Sequence, residues 1–261
     1  MKYPFQPEIL DELPEELAEL FRGLEDALLI DICSRLKAAD GFNEATVQDI
    51  KALRSHGISL EEIKKEINKT TGISEKKLDE LLSDVVKRNQ QYYTDLIDIS
   101  GLTKPDVLVD MATIDAIKRQ TLNEMRNITR TMAFVLDGGR TVLEPHKAFT
   151  WACDSAMLKV QRGAVSYNQA IEDAVKQLAD SGIRAVDYES GIRNQVDTAI
   201  RRAVMTGVNA LNQKYAEQSM EYLGSDLVEV SAHAGARDKD GPNGWEAHTK
   251  WQGRVFRWNK K

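Results

Sequence analysis

Apolar residues in this chain recur mostly every three or four positions, the spacing that sets one side of an α-helix against a core. Over residues 14–39 the apolar positions are Leu17, Leu20, Phe21, Leu24, Leu28 and Ile32. Pro14 stands where a first helical turn tolerates a missing N–H, and acids fill the opening turns, where the positive end of a helix favours them. A short helix is expected over 47–54, stopped by Gly57. Ser59 and Glu62 have capping-box spacing ahead of Ile63 and Ile67. Gly72 is expected to end that helix, and Ser74 to open a longer one through Leu78, Leu82, Val85 and Val86 towards Tyr93 and Ile97.

Gly101 and Pro105 punctuate the next boundary. A long helix is expected over 106–136, with Leu108, Met111, Ile114, Ile117, Leu122, Met125, Ile128, Met132 and Val135 on its apolar side and Gly138-Gly139 at its end. Further helices are predicted over 145–162 and 167–180, then a short extended link "GIRAVDY", then a long helix over 190–222. The two long helices are expected to pack together, burying Met111, Met125, Val196 and Ala203. After Gly224 the period changes: "DLVEVSA" and "GRVFRW" alternate as strands do. The fold class is therefore mainly α, a long-helix body with a small C-terminal β-hairpin-like α+β element. Three regions are expected: a helical 1–100, a long-helix core 101–224, and a strand pair within 225–261.

At 261 residues and 42% hydrophobic, the chain is long enough to build a substantial core. Cys33 and Cys153 lie far apart on helical segments, which reads as two buried thiols and not as a disulfide or zinc knuckle. The N-terminus has neither the basic nor the apolar portion of a secretory signal. No stretch approaches the roughly 18 uninterrupted apolar residues of a membrane span. A net charge of −6 argues against a general nucleic-acid coat. The charge is uneven, however. Residues 8–31 hold nine acids against Arg22 alone, while the last stretch is enriched in Arg237, Lys239, Lys250, Arg254, Arg257, Lys260 and Lys261. Such segregation suggests separate contact surfaces; the simpler reading of the acidic run is a solvated helix face.

The pattern "LRSHGISLEEIKKEI" has the outline of a DNA-binding helix-turn-helix, but its second helix offers a balanced mixture of Glu and Lys, which favours a plain helical hairpin. No phosphate-binding, dinucleotide-binding, metalloprotease or nucleophile-elbow signature is present. Candidate chemistry concentrates in "VSAHAGARDKDGPNGWEAHTKWQG", residues 230–253. His233 and His248 could supply two metal ligands, with Asp238, Asp240 or Glu246 completing a set. Their wide spacing fixes no geometry, and Ser231 or Thr249 could be a nucleophile only by arbitrary choice. The competing reading is a structural clasp. In it His233, Arg237, His248 and Gln252 tie down a turn between two strands while Trp251 packs on neighbouring helices.

The blocks "LVEVSAHAGARDKDG…AHTKWQGRVF" and "GAVSYNQAIEDAVKQLADSGIRAVDYESGIRNQVDTAIRRAVMTGVNALNQK" resemble tailed-bacteriophage minor capsid proteins of the "minor capsid protein 2" type, akin to Mu-type head-morphogenesis proteins. The resemblance spans roughly 105–258 and is less distinct over the first hundred residues. Its motif falls on His233, Gly235, Ala236, Arg237, His248, Trp251, Gln252 and Gly253. "DKDGPNGWEA" lengthens the gap between Arg237 and His248. The family commonly continues into an Asn-Cys-Arg-His-like segment, so 225–261 is expected to be truncated relative to it. The resemblance implies a structural, non-enzymatic protein of the virion with no cofactor, oligomeric in the particle and placed at the portal vertex or the capsid interior. Its implied partners are the portal or the major capsid protein, with packaged DNA a possible contact of the basic C-terminus and no membrane involved. The alternative is a metal-binding or hydrolytic protein built on the His233–His248 loop.

Overall fold

The computed structural model describes residues 5, 7–37, 60–163, 165–186, 191–230, 238–241 and 246–258. Among them the chain is mainly helical, as the periodicity predicts, with two small antiparallel sheets. The helix expected over 47–54 lies outside the described residues.

Helix α1 (Pro7–Glu12) precedes α2 (Glu15–Lys37). Pro14 opens α2 as expected: its carbonyl accepts the Ala18 N–H at 3.0 Å. Helix α3 then runs unbroken over Leu60–Ile99, where the sequence led us to expect two helices divided at Gly72. A Cβ at Gly72 would meet nothing within 4 Å. The local penalty of a helical glycine, roughly 1 kcal/mol, is small beside the packing of a 40-residue helix. Ser74 caps nothing; its hydroxyl donates back to the Thr71 carbonyl at 2.8 Å.

The expected helix over 106–136 ends early. Helix α4 spans Met111–Arg130, and Met132–Leu136 forms strand β1. Met132 and Val135 therefore sit on a strand, not on a helix stripe. Met111 is 63% exposed, against the expectation that it is buried, because it begins the first turn of α4, at the surface. Asp110 caps that turn, accepting from the Thr113 N–H at 2.9 Å and hydroxyl at 2.7 Å. Met125, Val196 and Ala203 are buried.

The chain divides into two compact units, and α3, α4 and α7 (Val196–Leu223) contribute residues to both. The first unit comprises Leu13–Leu81 and Arg119–Thr206. It contains β1, β2 (Thr141–Leu143), α5 (Pro145–Gln161), α6 (Tyr167–Ser181), β3 (Ile183–Val186) and β4 (Arg193–Gln195). The sheet order is β2-β1-β3-β4, antiparallel throughout, with Phe134 opposite both Leu143 and Ile183. The segment "GIRAVDY", expected to be a link, thus holds an inner strand. Helices α5 and α6 pack against each other and both contact β1. Ala148, Ala152 and Ala156 on α5, and Ala170 and Ala174 on α6, are buried; side chains this small let helix axes approach closely. Cys153 is buried in α5, whereas the side chain of Cys33 lies outside what is described.

Glu25 of α2 accepts a hydrogen bond from the Ile183 N–H at 3.1 Å, holding the start of β3. Gly182 just before it has φ +61°, and a Cβ there would lie 2.8 Å from the Glu25 carboxylate. Only glycine fits this turn. Burial raises the Glu25 pKa, reinforced by Asp26 and Asp197 and opposed by the Ile183 hydrogen bond and by Arg184.

The second unit comprises Met1–Glu12, Leu82–Lys118 and Gly207–Lys261. Leu82, Val85 and Ile97 of α3 and Val208, Leu211 and Tyr215 of α7 are buried in it. Tyr93 stacks on Tyr215 with centroids 6.5 Å apart, and the Asn89 amide donates to Asn212 at 2.7 Å. Gln90 clamps the α3–α4 connection through the Asp106 carbonyl and the Leu108 N–H, both at 3.2 Å.

Candidate functional site

The motif singled out in the sequence belongs to this second unit. Strands β5 (Leu227–Glu229) and β6 (Val255–Arg257) pair antiparallel, with Val228 opposite Phe256. Further main-chain bonds extend the pairing beyond the strands: Val230 N–H to the Arg254 carbonyl at 3.0 Å, Gly253 N–H to the Val230 carbonyl at 2.8 Å, and Trp258 N–H to the Asp226 carbonyl at 2.6 Å. Gly253 turns the chain into β6 with φ +67°, a conformation that disfavours any side chain.

Ahead of β6, His248–Lys250 forms one 3-10 turn, closed by the Trp251 N–H donating to the His248 carbonyl at 3.0 Å. Asp240 anchors this turn. Its carboxylate accepts from the Ala247 N–H at 2.7 Å and from the Lys250 ammonium at 2.9 and 3.0 Å. Ala247 is buried. Asp240 raises the Lys250 pKa, first through that hydrogen bond and also through its charge.

Of the predicted motif residues, His233, Gly235, Ala236 and Arg237 lie outside the described residues. His248 is exposed on its turn, and Gln252 is half-buried. Trp251 was expected to pack on helices; the ring contact described for it is with β6. It lies against Phe256, centroids 5.4 Å apart and rings inclined by 44°, and remains 40% exposed. Among the described residues, no grouping of three or more His, Cys, Asp or Glu is placed to hold a metal.

The charge segregation seen in the sequence is partly spent inside each unit. Glu15 pairs with Arg22 and Arg201, and Glu16 with Lys77. In the basic tail, Lys250 pairs with Asp240 and Arg257 with Asp226, each at 2.9 Å. Asp226 is the residue that sequence reasoning passed over. An acid just before one strand with a base near the end of its antiparallel partner is the signal that could have found it.

One other polar cluster lies on the exposed side of α5. His146, Thr150, Trp151, Asp154 and Ser155 line an open groove of about 450 Å³. His146 and Ser155 are nine positions apart, roughly 13 Å along a helix axis, too far for the histidine to deprotonate that hydroxyl. The His146 Nδ1 instead faces Glu144 at 3.4 Å.

A small antiparallel strand pair in a mainly helical chain is thus the setting of the motif. The family model for phage minor capsid protein 2 matches residues 5–261. The chain belongs to the phage minor capsid protein 2 family, and the match takes in the first hundred residues as well as the C-terminal blocks. Its role is that of a structural component of the phage capsid, and its place is the virion. No curated protein and no solved structure matches the chain. No described helix is long and apolar enough to cross a membrane.

Proposed function

We propose that this protein serves head morphogenesis at the portal vertex or the inner capsid wall, contacting the portal or the major capsid protein during DNA packaging or ejection. Its C-terminal strand pair acts there as a structural clasp and not as a catalytic centre. The observation that carries this reading is the family match from residue 5 to residue 261, which takes in both compact units. Support for the clasp comes from Asp240 and Asp226. Asp240 spends its carboxylate on the Ala247 N–H and the Lys250 ammonium, and Asp226 spends its own on the Arg257 guanidinium.

The test is to purify proheads and mature virions and determine their structures without imposed symmetry. Density for this chain at the portal vertex or lining the shell is expected. Its absence from both kinds of particle would overturn the assignment. For the clasp, one zinc held tightly per purified chain and released by His233→Ala would overturn the structural reading; unchanged metal content is expected.

A further inference from the structure

The connection between α3 and α4, residues 99–111, is tied down along its length yet turns apolar side chains outward. Gly101, with φ +84°, closes α3: its N–H donates to the Asp98 carbonyl at 2.9 Å, and the Leu102 N–H donates to that of Ile97 at 3.4 Å. The Tyr222 hydroxyl of α7 donates to the Thr103 carbonyl at 2.9 Å, and Lys104 pairs back to Asp95 and Asp98. Gln90 holds the main chain at Asp106 and Leu108, and Asp110 caps α4. All these residues belong to the second unit. Ile99, Leu102, Val107, Met111 and Tyr222 nevertheless stay exposed, Ile99 by 72% and Val107 by 63%. A link that only joined two helices would gain nothing from holding these side chains in water. Ordered apolar surface of this kind marks a protein contact, because little further ordering is needed on binding.

Charge says what covers it. Asp98, Asp106 and Asp110 directly precede Ile99, Val107 and Met111, and between residues 95 and 115 five aspartates stand against Lys104 alone. Lys104 is spent on Asp95 and Asp98, and among the described residues Asp106 and Asp115 have no cationic partner. We infer that this connection docks a protein segment whose apolar side chains are flanked by lysine or arginine. The same charge disfavours the other occupants. Phosphate-bearing surfaces, whether nucleic acid or lipid, would meet charge of their own sign. A second copy docked about a two-fold axis would set the aspartates of one chain against those of the other. The inference uses no residue of the β5–β6 clasp and holds for whichever head protein supplies the segment.

Fluorescence anisotropy tests it, with the full chain titrated into a labelled amphipathic peptide of leucine and lysine and, separately, into its leucine–glutamate counterpart. A Kd of about 1–100 µM is expected for the lysine peptide, and binding at least about tenfold weaker for the glutamate peptide. The double variant Val107→Ser, Met111→Ser alters only exposed side chains. Its circular dichroism spectrum should match the wild type while its affinity falls about tenfold. Asp106→Asn, Asp115→Asn should weaken binding severalfold at low salt and little at high salt. Glu19→Gln, Asp26→Asn removes as much charge from the exposed side of α2, in the first unit, and should bind as the wild type does. No binding of the lysine peptide, equal binding of both peptides, affinity that survives Val107→Ser, Met111→Ser, or an equal loss in the α2 variant would each overturn the proposal. Self-association of the wild type that Val107→Ser, Met111→Ser abolishes would also overturn it, since a second copy would then be the occupant.

Discussion

Strand β1 buries Met132, Ala133, Phe134 and Leu136, whereas β6 leaves Val255, Arg257 and the adjoining Trp258 exposed. Both strands are antiparallel and short. They differ in what covers them. β1 is bonded on both sides, by β2 and β3, and has α5 and α6 packed against it. Among the described residues β6 is bonded by β5 alone, and Trp251 lies against its Phe256. The hydrogen-bond pattern of a sheet is thus common to both, and the burial of apolar area separates them. That area supplies most of the stabilisation, at about 25 cal/mol per Å². The four-stranded sheet can therefore serve as framework, while the pair is left as surface.

The largest expected effect lies on the framework side. Phe134→Ala removes a fully buried ring at the centre of the sheet and should lower unfolding stability by about 3–5 kcal/mol, read from urea or thermal unfolding. A loss under about 1 kcal/mol would mean that the sheet is no core, and the contrast would fail.

A smaller effect is expected in the strand pair. Trp251→Ala removes a ring that is 40% exposed and lies against Phe256, so the loss should be about 1–2 kcal/mol rather than that of a buried tryptophan. Unfolding followed by tryptophan-independent circular dichroism would measure it. A loss as large as that of Phe134→Ala would erase the distinction between the two regions.

The smallest effect sharpens how the framework is tied to α2. Glu25 has a raised pKa, so the folded state holds its proton more tightly than the unfolded chain does. Its contribution is therefore most favourable below the ordinary carboxylate value of 4.5 and is lost as pH rises through the raised value. Carboxylates such as Glu75, whose pKa is lowered first by its hydrogen bond to Arg126, contribute with the opposite sign. The profile of Glu25→Gln subtracted from that of the wild type isolates the one group. The wild type should lose stability relative to the variant as pH is raised through that window. A difference flat in pH would show that Glu25 is not coupled to folding.

Much of this was legible without coordinates, wherever the signal is local. Helices α2, α5 and α6 lie within a few residues of their predicted spans, because Pro14, Pro145, Ser166 and Gly182 mark ends by their own backbone chemistry. Ser166, for example, accepts from the Gln169 N–H at 3.3 Å. The strand pair was legible too, since alternation in "LVEVS" and "RVFRW" needs no partner to be seen. His248, Trp251, Gln252 and Gly253 fall on the turn that leads into β6, where Trp251 is exposed.

The four-stranded sheet was not legible, and the reason is physical. "TRTMAFVL" continues the apolar spacing of α4 without a break, and nothing local forbids another helical turn. Met132 and Phe134 become strand because Ala185 and Ile183, some fifty residues later, supply the other side of the ladder. Gly72 was misread for the converse reason: its local cost is real, but the helix that contains it is held by packing along its whole length. Periodicity, caps and alternation by themselves determined the helical class, most helix ends, the C-terminal pair and the blocks that resemble the capsid family. Which apolar segment became the inner strand, which methionine stayed in water and which carboxylate met which base were decided only in three dimensions, where residues far apart in the chain compete for the same buried space.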